Sequence, residues 1–255
     1  MGDKSGGVDK INIKILKILS SFIVKPLDFI FNSCITKGIW PNELKKAEII
    51  PVFKNGDKST MSNYRPISLI LSIAKIFEKI IFIRLHSFLN KNKIISENQF
   101  GFMSGIGTKE ALHKVSDLIY NGLNECNAVI GTFLDLSKAF DTVNHQILLQ
   151  KLEKYGVRGT PLNLFKNYLL DRQHAVRLGD TVSEYEVINV GVPQGSILGP
   201  YLFLIYINDL LSLVPHVFSY ADDTVVFSVE KNWIAAKNTM IDMLNLINIC
   251  LLTTN

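Results

Sequence analysis

"FSYADDTVVF", residues 218–227, sets Asp222 and Asp223 side by side inside an otherwise apolar run. The flanking segments predict two short strands joined by a hairpin turn. Like charges this close disfavour each other's ionised forms, and burying them unpaired is costly. A turn open to water relieves that cost, and so does a divalent cation.

Working outward, "AVIGTFLDL", residues 128–136, predicts a buried strand that delivers Asp135 out of mostly apolar neighbours. If the two segments pair as adjacent strands, three acidic side chains converge at one edge of a sheet. Carboxylates with no His or Cys beside them make a hard oxygen site, suited to Mg²⁺ or Mn²⁺ rather than zinc. Two such ions about 4 Å apart activate a hydroxyl nucleophile and stabilise the leaving group in phosphoryl transfer. Taken singly, "ADD" is equally an acidic turn and Asp135 a strand end or helix cap. The case rests on the whole set of segments.

A chain of 255 residues that is 47% hydrophobic holds a sizeable core and is not disordered. No apolar run reaches the roughly 18–20 residues that span a bilayer, the densest patch being "YLFLIYI" at 201–207. The start "MGDKSGGVDK" lacks a signal-peptide apolar region, and Gly6 stands where a myristoylation motif wants Ser or Thr, so the expectation is an intracellular chain with no membrane partner. Cys34, Cys126 and Cys250 are too few and too scattered for a disulfide framework, and with the dispersed histidines they offer no zinc spacing. Residues 1–100 carry 16 Lys+Arg against 8 Asp+Glu, and residues 101–255 carry 11 against 15. A basic front suits a polyanion and an acidic back suits cations, although a solvated lysine-rich surface gives the same count.

Along the chain the periodicity predicts two helices over 11–39 joined at Pro26, then a lysine-tipped hairpin from "AEIIPVF" and "YRPISLI". A helix follows with Ile73, Ile76, Phe77, Ile80, Ile83 and Leu85 as its buried stripe. Next come a helix that Thr108 caps, the Asp135 strand, a helix capped by Asp141 and ended by Gly156, and another at "PLNLFKNYLLD". Short strands, the loop "GVPQGS", a helix near 197–207, the acidic hairpin and a helix near 232–251 complete a mixed α+β order.

Five stretches in sequence resemble the reverse transcriptase domain of non-LTR retrotransposons of the LINE-type, Jockey-like kind. They are "GIWPNELKKAEIIPVFKNGDKSTMSNYRPISLI", "ENQFGFMSGIGTKEAL", "FLDLSKAFDTVNHQILLQKL", "GVPQGSILGPYLFLIYINDL" and "YADDTVVF". The resemblance implies a right-hand polymerase fold, with fingers over 1–125 and a palm over 126–255. It implies Asp135 and Asp222 as ligands of two Mg²⁺ or Mn²⁺ ions, Asp223 beside them, and the Leu136 carbonyl as a further ligand, with Tyr220 and Ala221 supporting the motif.

Phe140 matches the aromatic position under the incoming sugar, where a ring collides with a 2′-hydroxyl; without the family it reads as core. Lys54 and Arg65 fall in the basic hairpin that meets the triphosphate, where a lysine point charge and an arginine fork suit phosphates. Gln194 and Gly195 fall beside the nascent base pair. "GVPQGS" is no ATP-type phosphate loop, since no Gly-Lys-Ser/Thr follows.

The implied partners are an RNA template, a DNA primer and dNTPs, and the nucleus is the expected compartment, although no tight Lys/Arg cluster marks import. The stop at "LLTTN", ahead of the family's thumb and primer-holding hairpin, and the absence of a preceding endonuclease lead to the expectation of a fragment with weak primer–template binding. A non-catalytic nucleic-acid-binding remnant and a group II intron maturase-type polymerase stand as alternatives.

Overall fold

The sheet that carries the acidic hairpin is laid down late in the chain, after a first run of helices. The computed structural model describes residues 13–136 and 138–253, together with Gly7, Asp9 and Ile11. In chain order the first elements are α1 (Ile13–Ile18), α2 (Ser20–Lys37), β1 (Lys46–Phe53), β2 (Tyr64–Ile70), α3 (Ser72–Lys91), α4 (Thr108–Asn124) and β3 (Ala128–Asp135). Then come α5 (His145–Lys154), α6 (Thr160–Leu169), β4 (Arg172–Leu178), β5 (Thr181–Val182), β6 (Glu186–Ile188), α7 (Leu198–Ile207), α8 (Leu210–Leu213), β7 (Val217–Tyr220), β8 (Asp223–Glu230) and α9 (Trp233–Thr253). They form two compact units, one from Met1–Ser87 with Asn144–Gly199, the other from Phe88–Val143 with Pro200–Asn255.

The first unit holds a sheet in the order β2-β1-β4-β5, with β6 also on β4. β1 runs antiparallel to β2 and parallel to β4. Pro51 lies opposite Pro66, and neither has an N–H to offer. The ladder tolerates this because β2 is an edge strand and β4 reaches only Lys46–Ile49 of β1. Beside the sheet, Trp40 stacks on Phe77 with centroids 4.4 Å apart and meets Tyr168 edge-on at 4.8 Å, while Phe31 stacks on the same Phe77 at 4.6 Å. All four rings are buried. Trp40→Ala is expected to cost about 3–5 kcal/mol, a large share of the ~5–15 kcal/mol that holds a domain folded. A fall in the urea midpoint, followed by circular dichroism, measures it.

Four expectations shift. The first two helices part at Leu19, not at Pro26, which sits inside α2 and forfeits one ladder hydrogen bond without ending the helix. The buried stripe of α3 is Ala74, Phe77, Glu78, Ile81, Leu85 and Leu89, while Ile83 is 55% exposed. A reading by hydrophobicity skips Glu78, and the stripe is then drawn rotated. Asn144, not Asp141, caps α5, its Oδ1 accepting from the Gln146 and Ile147 N–H groups. Thr108 likewise opens α4 rather than capping it; the Glu110 carboxylate accepts from the N–H of Gly107, the residue before it.

In the second unit β3, β8 and β7 form an antiparallel sheet in that order. The strand period of two splits its side chains between two cores. Ile130, Leu134, Val217 and Val226 pack with Met240, Met243 and Ile247 of α9. On the other face Val129, Val225, Phe218 and Phe227 join Phe100 and the Ala111, Val115, Leu118 and Ile119 stripe of α4. Gly131 makes room there, since a Cβ on it would lie 2.6 Å from the Phe227 ring. Residues 201–207 of α7 are buried all round, which explains the density of "YLFLIYI". No helix among the described residues is long and apolar enough to cross a membrane.

Candidate active site

Register decides where the carboxylates go. β3 and β8 align Asp135 directly with Asp223, and β7 and β8 align Tyr220 with the same Asp223. Directly paired residues share a sheet face, so Asp135, Asp223 and Tyr220 stand together. Their face is the one that α4 covers further along, but at this end it is open: Phe133 is 83% exposed and both aspartates are exposed.

The turn between β7 and β8 has two residues, Ala221 and Asp222. Ala221 takes a φ of 59° and is buried, whereas Asp222 is only half-buried. Positive φ at the first turn position is the habit of a type II′ hairpin, where glycine is usual, so an alanine must be held there. The grip comes from residues 98–101. Ser219 and Gln99 form a parallel bridge, with Ser219 N–H donating to Asn98 O at 2.9 Å and Phe100 N–H to Ser219 O at 2.8 Å. The buried Gln99 Oε1 accepts from Ala221 N–H at 3.0 Å and from Gly101 N–H at 2.8 Å. Ser219 Oγ donates to Ala221 O at 2.8 Å. A Cβ on Gly101 would collide with the Ala221 backbone, well under the 3.0 Å that real Cβ atoms keep. Gln99 and Gly101 were not anticipated as site residues; the only sequence signal is the glycine of "NQFGF".

Beyond Asp135 the chain turns. Leu136 O accepts from Ala139 N–H at 3.2 Å, which leaves that carbonyl a second lone pair. Phe140 is half-buried, its ring 4.6 Å from Phe203 and edge-on to Phe102 at 6.1 Å.

The first unit gathers a different set. Gln194 O accepts from Ser68 N–H of the edge strand β2 at 2.7 Å. Gly195 has a φ of 108°, and a Cβ there would lie 2.8 Å from Ser68 O, so both conformation and space demand glycine. Arg65, exposed, stands on the same strand opposite Val52, and Lys54, also exposed, follows β1, with its N–H on Asn63 O at 2.8 Å.

Three carboxylates at one sheet end are the right chemistry for a hard divalent cation, and no described residue gives them a hydrogen bond or ion pair. Asp135 and Asp223 face each other, but among the described residues no group of three or more His, Cys, Asp or Glu side chains closes into a metal-holding cluster.

Residues 52–252 match the family model described as reverse transcriptase (RNA-dependent DNA polymerase). The chain belongs to the reverse transcriptase family. This reverse transcriptase domain is 34% identical over 229 residues to the probable RNA-directed DNA polymerase from transposon BS of Drosophila melanogaster. It is 33% identical over 255 residues to the RNA-directed DNA polymerase from mobile element jockey of the same species. The alignments take in 86% and 95% of the chain but 24% and 27% of the relatives, so the chain spans about a quarter of their length. The likeness to Jockey-type, LINE-type polymerases that the five motifs carry is borne out. An apo telomerase of Candida tropicalis, truncated from its C-terminal domain, shares the fold. Its TM-score is 0.55 at 13% identity, over 89% of this reverse transcriptase domain and 50% of the telomerase chain.

Proposed function

We propose that the chain carries the nucleotidyl-transfer site of an RNA-directed DNA polymerase. The observation that carries this reading is the register of Asp135 against Asp223 at the open end of a sheet, beside a two-residue turn that presents Asp222. In the reaction a primer 3′-hydroxyl attacks the α-phosphate of a deoxynucleoside triphosphate; the new P–O bond replaces the bond to pyrophosphate, which leaves, and the hydroxyl proton is lost. Asp135, Asp222, Asp223 and the Leu136 carbonyl would hold Mg²⁺ or Mn²⁺, which when bound neutralise phosphate charge and make the hydroxyl a better nucleophile. Asp135 and the turn residue Asp222 would be the ligands of the two ions, with Asp223 beside them in register with Asp135 and Tyr220 and Ala221 supporting the turn.

Arg65 and Lys54 offer positive charge to the triphosphate, and Gln194 with the Gly195 backbone borders the nascent base pair. The template is RNA and the primer DNA; fingers over 1–125 and palm over 126–255 describe the same division of labour. A working LINE-type element meets its target in the nucleus.

Phe140 selects the sugar, its ring braced by Phe203 against yielding to a 2′-hydroxyl. In primer extension on an RNA template, Phe140→Ala is expected to raise the ribo- to deoxynucleotide incorporation ratio roughly 10- to 100-fold, the scale on which one pocket group discriminates. An unchanged ratio with lowered stability would make Phe140 a packing residue and remove the steric basis for deoxynucleotide choice.

A further inference from the structure

The loop that carries Gln194 and Gly195 is tied down along its length within the first unit. At its start His145 Nε2 lies 2.7 Å from Gly191 O, and Asn144 bridges Val190. In the middle Ser196 Oγ donates to Pro193 O at 2.8 Å and accepts from Gly199 N–H at 2.8 Å. Its far end hangs on Glu78. This side chain from the buried stripe of α3 is 0% exposed, yet its Oε2 accepts from Ile197 N–H at 2.7 Å and its Oε1 from Tyr168 Oη–H at 2.9 Å.

A carboxylate in that stripe has a cost, since its neighbours in the helix repeat are Ala74, Phe77, Ile81 and Leu85. Burial pushes the Glu78 carboxyl up, against the pull of the Ile197 N–H and of Arg172. What offsets the cost is a cap supplied across the chain. Ile197 stands immediately before α7, where N–H groups lack partners within the helix and a carboxylate is favoured. Arg172, itself buried, donates to Tyr168 O at 3.2 Å and lies over the Tyr168 ring at 4.6 Å, so Tyr168 is clamped between the acid and the base. An apolar residue at 78 would pack the stripe but leave the Ile197 N–H and the Tyr168 hydroxyl without their acceptor.

We propose that Glu78 is a positioning residue for nucleotide binding, fixing the 191–197 loop so that Gln194 and Gly195 keep their place on β2. The proposal rests on the polymerase reading only for what Gln194 and Gly195 touch.

Glu78→Ala, Glu78→Gln and the control Leu85→Ala, from the same stripe, separate anchoring from mere stability. Glutamine keeps an oxygen for Ile197 N–H and offers its amide to the Tyr168 oxygen, so it rescues. Glu78→Ala is expected to raise the dATP KM about tenfold, as for one hydrogen bond to a charged group lost, with kcat nearly unchanged, and to speed amide exchange over residues 194–198. Leu85→Ala lowers the melting temperature without either change. Exchange over 194–198 that matches the Leu85→Ala control, or an unaltered KM, would overturn the proposal. If the wild-type chain incorporates nothing, the polymerase reading fails on its own. Exchange and direct dATP titration then decide the anchor: protection and affinity lost together support it, and either one retained overturns it.

Discussion

Asp135→Ala is expected to lower dNTP incorporation by roughly three orders of magnitude, as several kcal/mol of charge stabilisation is withdrawn at tenfold per ~1.4 kcal/mol. The fold is expected to survive the change. Asp135 is exposed at the last position of β3, and the hydrophobic contacts of that strand come from Val129, Ile130 and Leu134. Removing one of two like charges paired across strands also relieves repulsion with Asp223, so the melting temperature should hold or rise slightly. Single-turnover incorporation together with far-ultraviolet circular dichroism checks both halves. A variant that is folded and fully active would remove Asp135 from the chemistry.

The second large effect comes from a residue with no functional group. Gly101→Ala should abolish most incorporation, approaching the loss in Asp135→Ala, because its methyl group would need the space of the Ala221 backbone. The obstacle is main chain, not the tip of a flexible side chain, so the turn that carries Asp222 must move. Around it the constraints are stiff: Gln99 Oε1 holds Gly101 and Ala221 by their N–H groups at once, and Ala221 is already at positive φ. Displacing a reacting group by about 1 Å is enough to cost ~10²-fold in rate. Gly105→Ala is the control, since a Cβ there meets nothing within 4 Å, though its φ of 78° adds modest strain. Activity in Gly101→Ala equal to that in Gly105→Ala would show that the turn tolerates the shift.

How much of this was legible in the sequence depended on how local each determinant is. The strand that ends at Asp135 and the hairpin that carries Asp222 and Asp223 were legible from local patterns, whereas the pairing of β3 with β8 stood in the sequence only as a condition. The grip on the turn was not readable. Gln99 and Ala221 lie 122 residues apart, and no local periodicity joins them. Glu78 was hidden for the opposite reason: a charged residue inside an apolar stripe reads as solvent-facing until its two donors, Tyr168 and Ile197, are seen. The α5 cap was read as Asp141, a favoured capping residue, whereas the backbone places it at Asn144, with φ −73° and ψ 119°. Pro26 misled in the same way, as α2 carries it without breaking.

Asp135, Asp222 and Asp223, at the open end of the sheet, are the carboxylates proposed to support nucleotidyl transfer. The most direct measurement is single-nucleotide addition to a DNA primer annealed to an RNA template in Mg²⁺, comparing the chain with Asp222→Ala and dNTPs with ribonucleotides. The expected result is addition that requires Asp222 and prefers the deoxynucleotide. Addition indifferent to Asp222 would contradict the account. So would a folded chain that binds primer–template in a salt-dependent manner and adds nothing, which would leave a nucleic-acid-binding protein in the shape of a polymerase.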